Sequence, residues 1–326
     1  MGTNIAIGNL IGKHNTDTQK INFPFSNSLV DYWNFGGKSN FDKDRTTVTG
    51  LLGNVLTAYN FGWSLMSGYG GYNENYLAYH KAQNVFITDD HSVTIMNFIP
   101  ANTFAVFRYD TDHIKATKVR VTGLTATDQL TYEYLPSDGG SRVVFPIPED
   151  GEYDLPESIQ SSSGIPRYNV GFAVRNALTK NVTIEQIPLY EGAIVTDGVD
   201  DYLKLDKVGY KVGTIIIKFK PINIKPNIVN SILNIHTDEV ALQYDTSGVL
   251  NNNFTTYKNY GEYSVGTFNI DKNAATPLTL GCKLSNSGRP MEYCNSALYS
   301  IAIYDRALSD QEVQEVINFM NKDNKS

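Results

Sequence analysis

Short runs in which apolar and polar residues alternate, broken by Gly, Asn, Asp, Ser or Pro, recur along most of this chain. A period of two belongs to strands with one buried face. Residues 29–35 (Leu-Val-Asp-Tyr-Trp-Asn-Phe) read as an aromatic-rich strand ended by Gly36 and Gly37, and 55–63 read as a second, with a polar stretch at 38–49 between them. The segment 67–73 (Ser-Gly-Tyr-Gly-Gly-Tyr-Asn) carries too much glycine to stay regular and predicts a loop or hinge. From 91 onward the strands crowd together, at 91–99, 103–109, 115–122, 129–135, 142–146, 168–175 and 181–187. Spacings of roughly ten residues are the rhythm of a β-sandwich. Pro146, Pro148, Pro156 and Pro166 with the serine run at 161–163 predict that 146–166 is loop.

Strands resume at 214–220, 231–235, 240–244 and 298–304, and then the period changes. Ser309 followed three residues later by Glu312 is a capping box, and Val313, Val316, Ile317 and Met320 recur at helical spacing. One C-terminal helix should lie on the sheet, with 321–326 fraying. At the other end, Pro24 between Phe23 and Phe25 interrupts strand pairing, so 1–25 read as an arm. The expected fold is all-β with a single helix.

The composition agrees, with 21 Tyr, 15 Phe and only 19% charged residues among 326. A chain of this length suggests about two domains and buries a core without staples. The net charge is −7 and no basic block could follow a phosphate backbone, so no nucleic-acid partner is expected. No window approaches about 18 consecutive apolar residues, so no membrane span is expected. The opening Met-Gly-Thr-Asn-Ile-Ala-Ile-Gly lacks a basic region followed by a long apolar run, so no secretory signal is expected, and Asn181-Val-Thr and Asn253-Phe-Thr then match a glycosylation pattern by accident. Cys282 and Cys294 are the only cysteines; a disulfide between them is geometrically allowed, and buried free thiols are the favoured reading.

Thr-Asp-Gly-Val-Asp-Asp-Tyr-Leu at 196–203 and Leu-Tyr-Ser-Ile-Ala-Ile-Tyr-Asp-Arg-Ala-Leu-Ser-Asp-Gln-Glu-Val at 298–313 resemble an early strand and the closing strand and helix of the laminin-G-like, concanavalin A-like jelly-roll superfamily of lectins and glucanases. Residues 32–38 and 52–61 look like that family's opening strands around a Gly-Asn turn. The resemblance implies a concanavalin A-like jelly-roll sandwich that is discontinuous, formed by 26–75 plus 190–326, with 76–189 as an inserted smaller β-sandwich. The stretch 184–202, from Ile-Glu-Gln-Ile-Pro through Glu-Gly-Ala to Asp-Gly-Val-Asp-Asp-Tyr, is similar to virion proteins of tailed phages of gut Bacteroidales, crAss-like phages included. That likeness implies a structural or adhesive virion protein on capsid or tail, such as a head fibre or auxiliary component. Its expected partners are other virion proteins, further copies of itself and a host surface glycan.

A glucanase on such a fold needs paired carboxylates on one strand, and the family's Glu-x-Asp-x-x-Glu arrangement does not occur here. The nearest clusters are Asp197, Asp200 and Asp201 on a turn and Asp238-Glu239 beside His236, so no enzyme activity is expected, and a glycoside hydrolase is the lesser alternative to a stand-alone lectin-like module. Asp197, Asp200 and Asp201 could offer oxygens to Ca²⁺, although Asp197-Gly198 is also an ordinary turn dipeptide whose carboxylate would bond backbone amides. The five histidines are scattered singly. Among the aromatics, Trp33 and Trp63 suit a core or an interface, while Tyr69, Tyr72 and Tyr76 are candidates to stack on sugar rings.

Overall fold

The computed structural model describes residues 23–235, 240–273 and 276–323, and it is all-β: 26 strands and one α-helix among those residues. The arm before Phe23 and the His236, Asp238 and Glu239 cluster lie outside the described residues.

Two seven-stranded antiparallel sheets face each other. The first runs Thr256–Tyr260, Tyr263–Asn273, Lys211–Asn223, Asn295–Tyr304, Ile194–Asp197 and Gly68–Tyr69, with Leu29–Asn34 also on Asn295–Tyr304. That central strand explains the architecture. Its far half (300–304) pairs with Leu29–Asn34 and its near half (295–298) with Ile194–Asp197, so two segments some 160 residues apart form one broken strand along it. The second sheet runs Thr47–Thr49, Val55–Tyr59, Tyr202–Leu205, Leu278–Leu280, Asn230–Asn234, Val240–Tyr244 and Leu250–Asn252. Between the sheets Trp33, Phe35, Leu56, Leu203, Ile215 and Ile301 share one core.

The central strands are apolar on both faces because both are covered. Ile215, Ile217, Ile301 and Ile303 point to the second sheet, whereas Ile216, Ala302 and Tyr304 point outward onto the helix Asp310–Asp323. That helix presents Val313, Val316, Ile317 and Met320, as its spacing predicts, but it runs through Asp323 instead of fraying from 321. Its capping box is formed: Glu312 N–H donates to Ser309 Oγ (3.3 Å) and Ser309 N–H to Glu312 Oε2 (2.8 Å). Phe23 is buried against Tyr32 and Phe319, so the described chain begins wedged beside this helix.

The chain between Gly68–Tyr69 and Ile194–Asp197 builds a second, smaller sandwich of two five-stranded sheets with its own core. One sheet runs Val143–Ile147, Leu130–Tyr134, Asn169–Val174, Thr103–Tyr109 and His80–Lys81; the other runs Gly151–Leu155, Thr117–Thr122, Val182–Gln186, Ser92–Ile95 and Val85–Ile87. Tyr132, Phe172, Val106, Val119 and Ile184 meet between them. The span 146–166 is not all loop, because Gly151–Leu155 pairs along Thr117–Thr122 and buries Leu155. Pro146 is accommodated because its strand is an edge.

Candidate functional site

The glycine-rich stretch is a neck. Gly70 N–H donates to the Ala193 carbonyl (2.9 Å), Tyr190 N–H to the Gly70 carbonyl (2.8 Å) and Leu189 N–H to the Gly71 carbonyl (2.9 Å), so the outgoing and returning chains run hydrogen-bonded side by side. Glycine is needed at 68: φ is +136°, and a Cβ would lie 2.3 Å from Asn40 Oδ1. One step further, Gln186 and Glu74 lock the two chains, with Gln186 Nε2 donating to the Glu74 carbonyl (2.7 Å) and Glu74 N–H to Gln186 Oε1 (3.2 Å). The Glu74 carboxylate reaches into the smaller sandwich, accepting from Lys115 N–H (2.8 Å) and from Tyr79 OH (3.1 Å).

This neck decides where the candidate tyrosines point. Tyr69 is buried, stacked on Trp63 at 5.8 Å, with its hydroxyl donating to the Arg45 carbonyl (3.1 Å). Tyr76 is buried in the smaller core, edge-on to Tyr79 and Phe172. Burial drives both hydroxyls far above the usual tyrosine range. Neither ring offers a face to a sugar, so both are corrected from ligand candidates to packing residues. Tyr72 alone of the three stays half-exposed, and its ring lies flat on His91, 4.4 Å centroid to centroid. Trp33 is a core residue and Trp63 stacks on Phe61 and Tyr69.

His91 is a feature the sequence reading passed over as one scattered histidine. Its Nδ1 lies 3.0 Å from Asp90 Oδ1 and 3.2 Å from Asp89 Oδ1, and ligand atoms of all three residues fall within 4.8 Å of one another. Burial alone would lower the imidazole pKa, but the Asp90 and Asp89 carboxylates overcome it and the net shift is upward. The Asp-Asp-His run was the available signal. Burial, followed by the nearby Asp90 carboxylate, lifts the Tyr72 hydroxyl to about 12.

Two depressions stand out among the described residues. One, of about 190 Å³, sits at the neck between Lys38, Tyr69, Tyr72, Pro188 and Glu191; the other, of about 260 Å³, lies between the start of the helix and the hairpin at 256–267. Both fall below the roughly 300 Å³ at which small-molecule pockets begin.

The predicted acidic cluster exists as a cluster, with ligand atoms of Asp197, Asp200 and Asp201 within 4.8 Å of one another. Its chemistry is that of a turn. Asp197 Oδ1 accepts the N–H groups of Val199 (2.7 Å) and Asp200 (3.3 Å), around Gly198 at φ +72°. Asp201 is fully buried, Oδ2 accepts Asp197 N–H (3.0 Å), and Oδ1 has no hydrogen-bond partner among the described residues. Burial pushes its pKa up to about 7. Lys225 Nζ donates to the Gly198 carbonyl (2.5 Å), placing an ammonium beside the turn. Ca²⁺ takes six to eight oxygens, and here Asp197 Oδ1 is committed to backbone amides while the Lys225 ammonium lies alongside, both of which work against a cation.

Cys282 and Cys294 are both buried and free, and burial raises each thiol to about 12, which removes them as nucleophiles. No helix among the described residues is long and apolar enough to cross a membrane. Comparisons of the chain with protein-family models, with curated proteins and with solved structures each found no match.

Proposed function

We propose that this chain is a non-catalytic structural and adhesive protein of a tailed-phage virion, displayed on capsid or tail, with a concanavalin A-like jelly roll as its larger sandwich. The observation that carries the reading is a pairing. The two segments that resemble the laminin-G-like family, 196–203 and 298–313, are about 100 residues apart, and the strands that hold them are hydrogen-bonded neighbours, Thr196 opposite Ser296 and Ile194 opposite Leu298. The capping box and the Arg306 to Glu312 ion pair (2.7 Å) complete the strand-turn-helix unit on which the likeness rests.

A sandwich inserted through a two-chain neck adds a second exposed surface to the larger one, an arrangement suited to display. Assembly in the host cytoplasm onto other virion proteins, with further copies of the chain beside it, follows from this reading. The test is cryo-electron microscopy and mass spectrometry of purified particles. Density for both sandwiches at defined positions on shell or tail is the expected result, and intact particles without the chain would reject the virion role. The non-catalytic part is checked separately: reducing-sugar release from glycan substrates should stay at background.

A further inference from the structure

The outer face of one sheet of the smaller sandwich carries a layer that its own packing does not require. Across four strands, Glu133 lies opposite Gly171, Gly171 opposite Phe107, and Phe107 opposite His80; in the next row Thr131 and Ala173 lead to Phe104. These side chains point away from the core, which Tyr132, Phe172 and Val106 fill from the other face. Glu133 is fully buried under two guanidiniums, with Arg142 Nε 2.7 Å from its Oε2 and Arg175 paired to its Oε1. Both cations lie over the Phe104 ring, at 4.9 Å and 5.6 Å, and Arg142 is also 5.6 Å from the Tyr168 ring. Next to this layer, Phe104, Phe107, Tyr109 and His80 form a chain of ring contacts between 4.9 and 6.2 Å.

We propose that this face binds an acidic glycan, the carboxylate of a uronic or sialic acid residue seated on Arg142 and Arg175 and its sugar ring resting against Phe107 and Tyr109. Charge is the first argument. One arginine would neutralise Glu133; the second leaves a surplus positive charge on a protein of net charge −7. Each guanidinium carries five N–H donors in a fork that matches a carboxylate, and both side chains keep 27% exposure, so donors still face solvent. Preorganisation is the second. The buried Glu133, the Asn169 carbonyl that accepts from Arg142 Nη1 (3.1 Å) and the Phe104 ring fix both forks before any ligand arrives, which lowers the entropy lost on binding. The third is the adjoining rings, since Tyr109 is exposed and Phe107 half-exposed, and flat apolar rings beside a carboxylate site suit the C–H face of a pyranose better than an extended peptide. This inference deepens the adhesive part of the proposed function and rests on it, but not on the virion location.

The experiment titrates the full chain by calorimetry with tetragalacturonate, sialyllactose, cellotetraose and a tetraglutamate peptide. At least one of the two acidic sugars should bind about tenfold or more tighter than cellotetraose and tetraglutamate, with affinity falling as salt rises. Arg175→Met and Arg142→Met should each weaken that binding about tenfold. No binding of either acidic sugar, equal binding of tetraglutamate, or an Arg175→Met variant with unchanged affinity would each overturn the proposal. If the arginine variants lose cooperative melting, the four-ligand comparison on the unaltered chain still decides. Failure here with the chain present on particles would leave the virion role standing, and binding without particle incorporation would do the reverse.

Discussion

Asp201 is where single-residue chemistry bears most directly on stability. Burial raises its carboxyl to about 7 from the ordinary 3.8, so the folded protein keeps a proton that the unfolded chain releases. Stability therefore falls as pH rises from about 4 to about 7 and is level above that, the opposite of a salt-bridged aspartate. Asp201→Asn retains an acceptor for Asp197 N–H and cannot ionise, so urea unfolding should show a flatter pH profile and a gain at pH 8 of up to about 4 kcal/mol. An equal gain at pH 5 and pH 8 would mean that the carboxylate is charged in the fold. His91 acts in the same direction by another route: with its pKa raised, its contribution is full below the unfolded value of about 6.5 and is lost as pH rises through the folded one. His91→Gln should remove that second decline, read from the same titrations from about pH 6.5 upward. Neither effect was legible in the sequence, where an acidic triplet and a lone histidine give composition but not burial. The tyrosines teach the same lesson, because residues 69, 72 and 76 belong to one aromatic stretch and only the long-range pairing of the neck separates two packing rings from one half-exposed one.

Elements were more readable, for a physical reason. Thr117–Thr122 and Val182–Gln186 bury one face and leave the other more open, and alternation marks them in sequence. The helix was equally clear, since its cap and stripe are local. What escaped were the short edge pieces Val85–Ile87 and Gly151–Leu155, which are strands mainly because a neighbour offers them a ladder, and the hairpin of Thr256–Tyr260 with the longer, interior Tyr263–Asn273. The Arg142, Arg175 and Glu133 layer was invisible for a related reason, as its members come from separate segments joined only by sheet register. The opening turn shows how one buried group can fix an element. Asp31 is fully buried, with Oδ1 accepting from the N–H groups of Tyr32 and Leu52 and Oδ2 from Asn54 N–H and Nδ2, at 2.7 to 2.9 Å. Asp31→Ala strands these donors and should cost about 3 kcal/mol or more, whereas Ser309→Ala at the helix cap should cost only about 1 kcal/mol. Chemical denaturation ranks the two, and comparable losses would show that water replaces the Asp31 carboxylate.

For the whole molecule, the question is whether the two sandwiches depend on each other. Their cores share no residue, and the larger one closes its sheets with strands from both sides of the insertion, Leu29–Asn34 and Ile194–Asp197 lying end to end along Asn295–Tyr304. The two chains of the neck are already paired at Gly70 with Tyr190 and at Gly71 with Leu189, so the points of departure and return are as close as the two ends of a hairpin. Replacing 73–187 by a short Gly-Ser bridge should therefore add little closure entropy and leave the larger sandwich folded, with a smaller denaturant m-value in proportion to the surface removed. The contacts forfeited include the stack of Tyr72 on His91, the ring contact of Phe41 with His91 (6.0 Å) and the hydrogen bond from Asn75 Nδ2 to Ser64 Oγ (3.1 Å), none of which enters the core of the larger sandwich. A trimmed chain that melts cooperatively near the transition of its parent would establish the larger sandwich as a self-sufficient platform. A trimmed chain without a cooperative transition would make the neck part of the folding unit, and the smaller sandwich a structural support as much as a displayed surface.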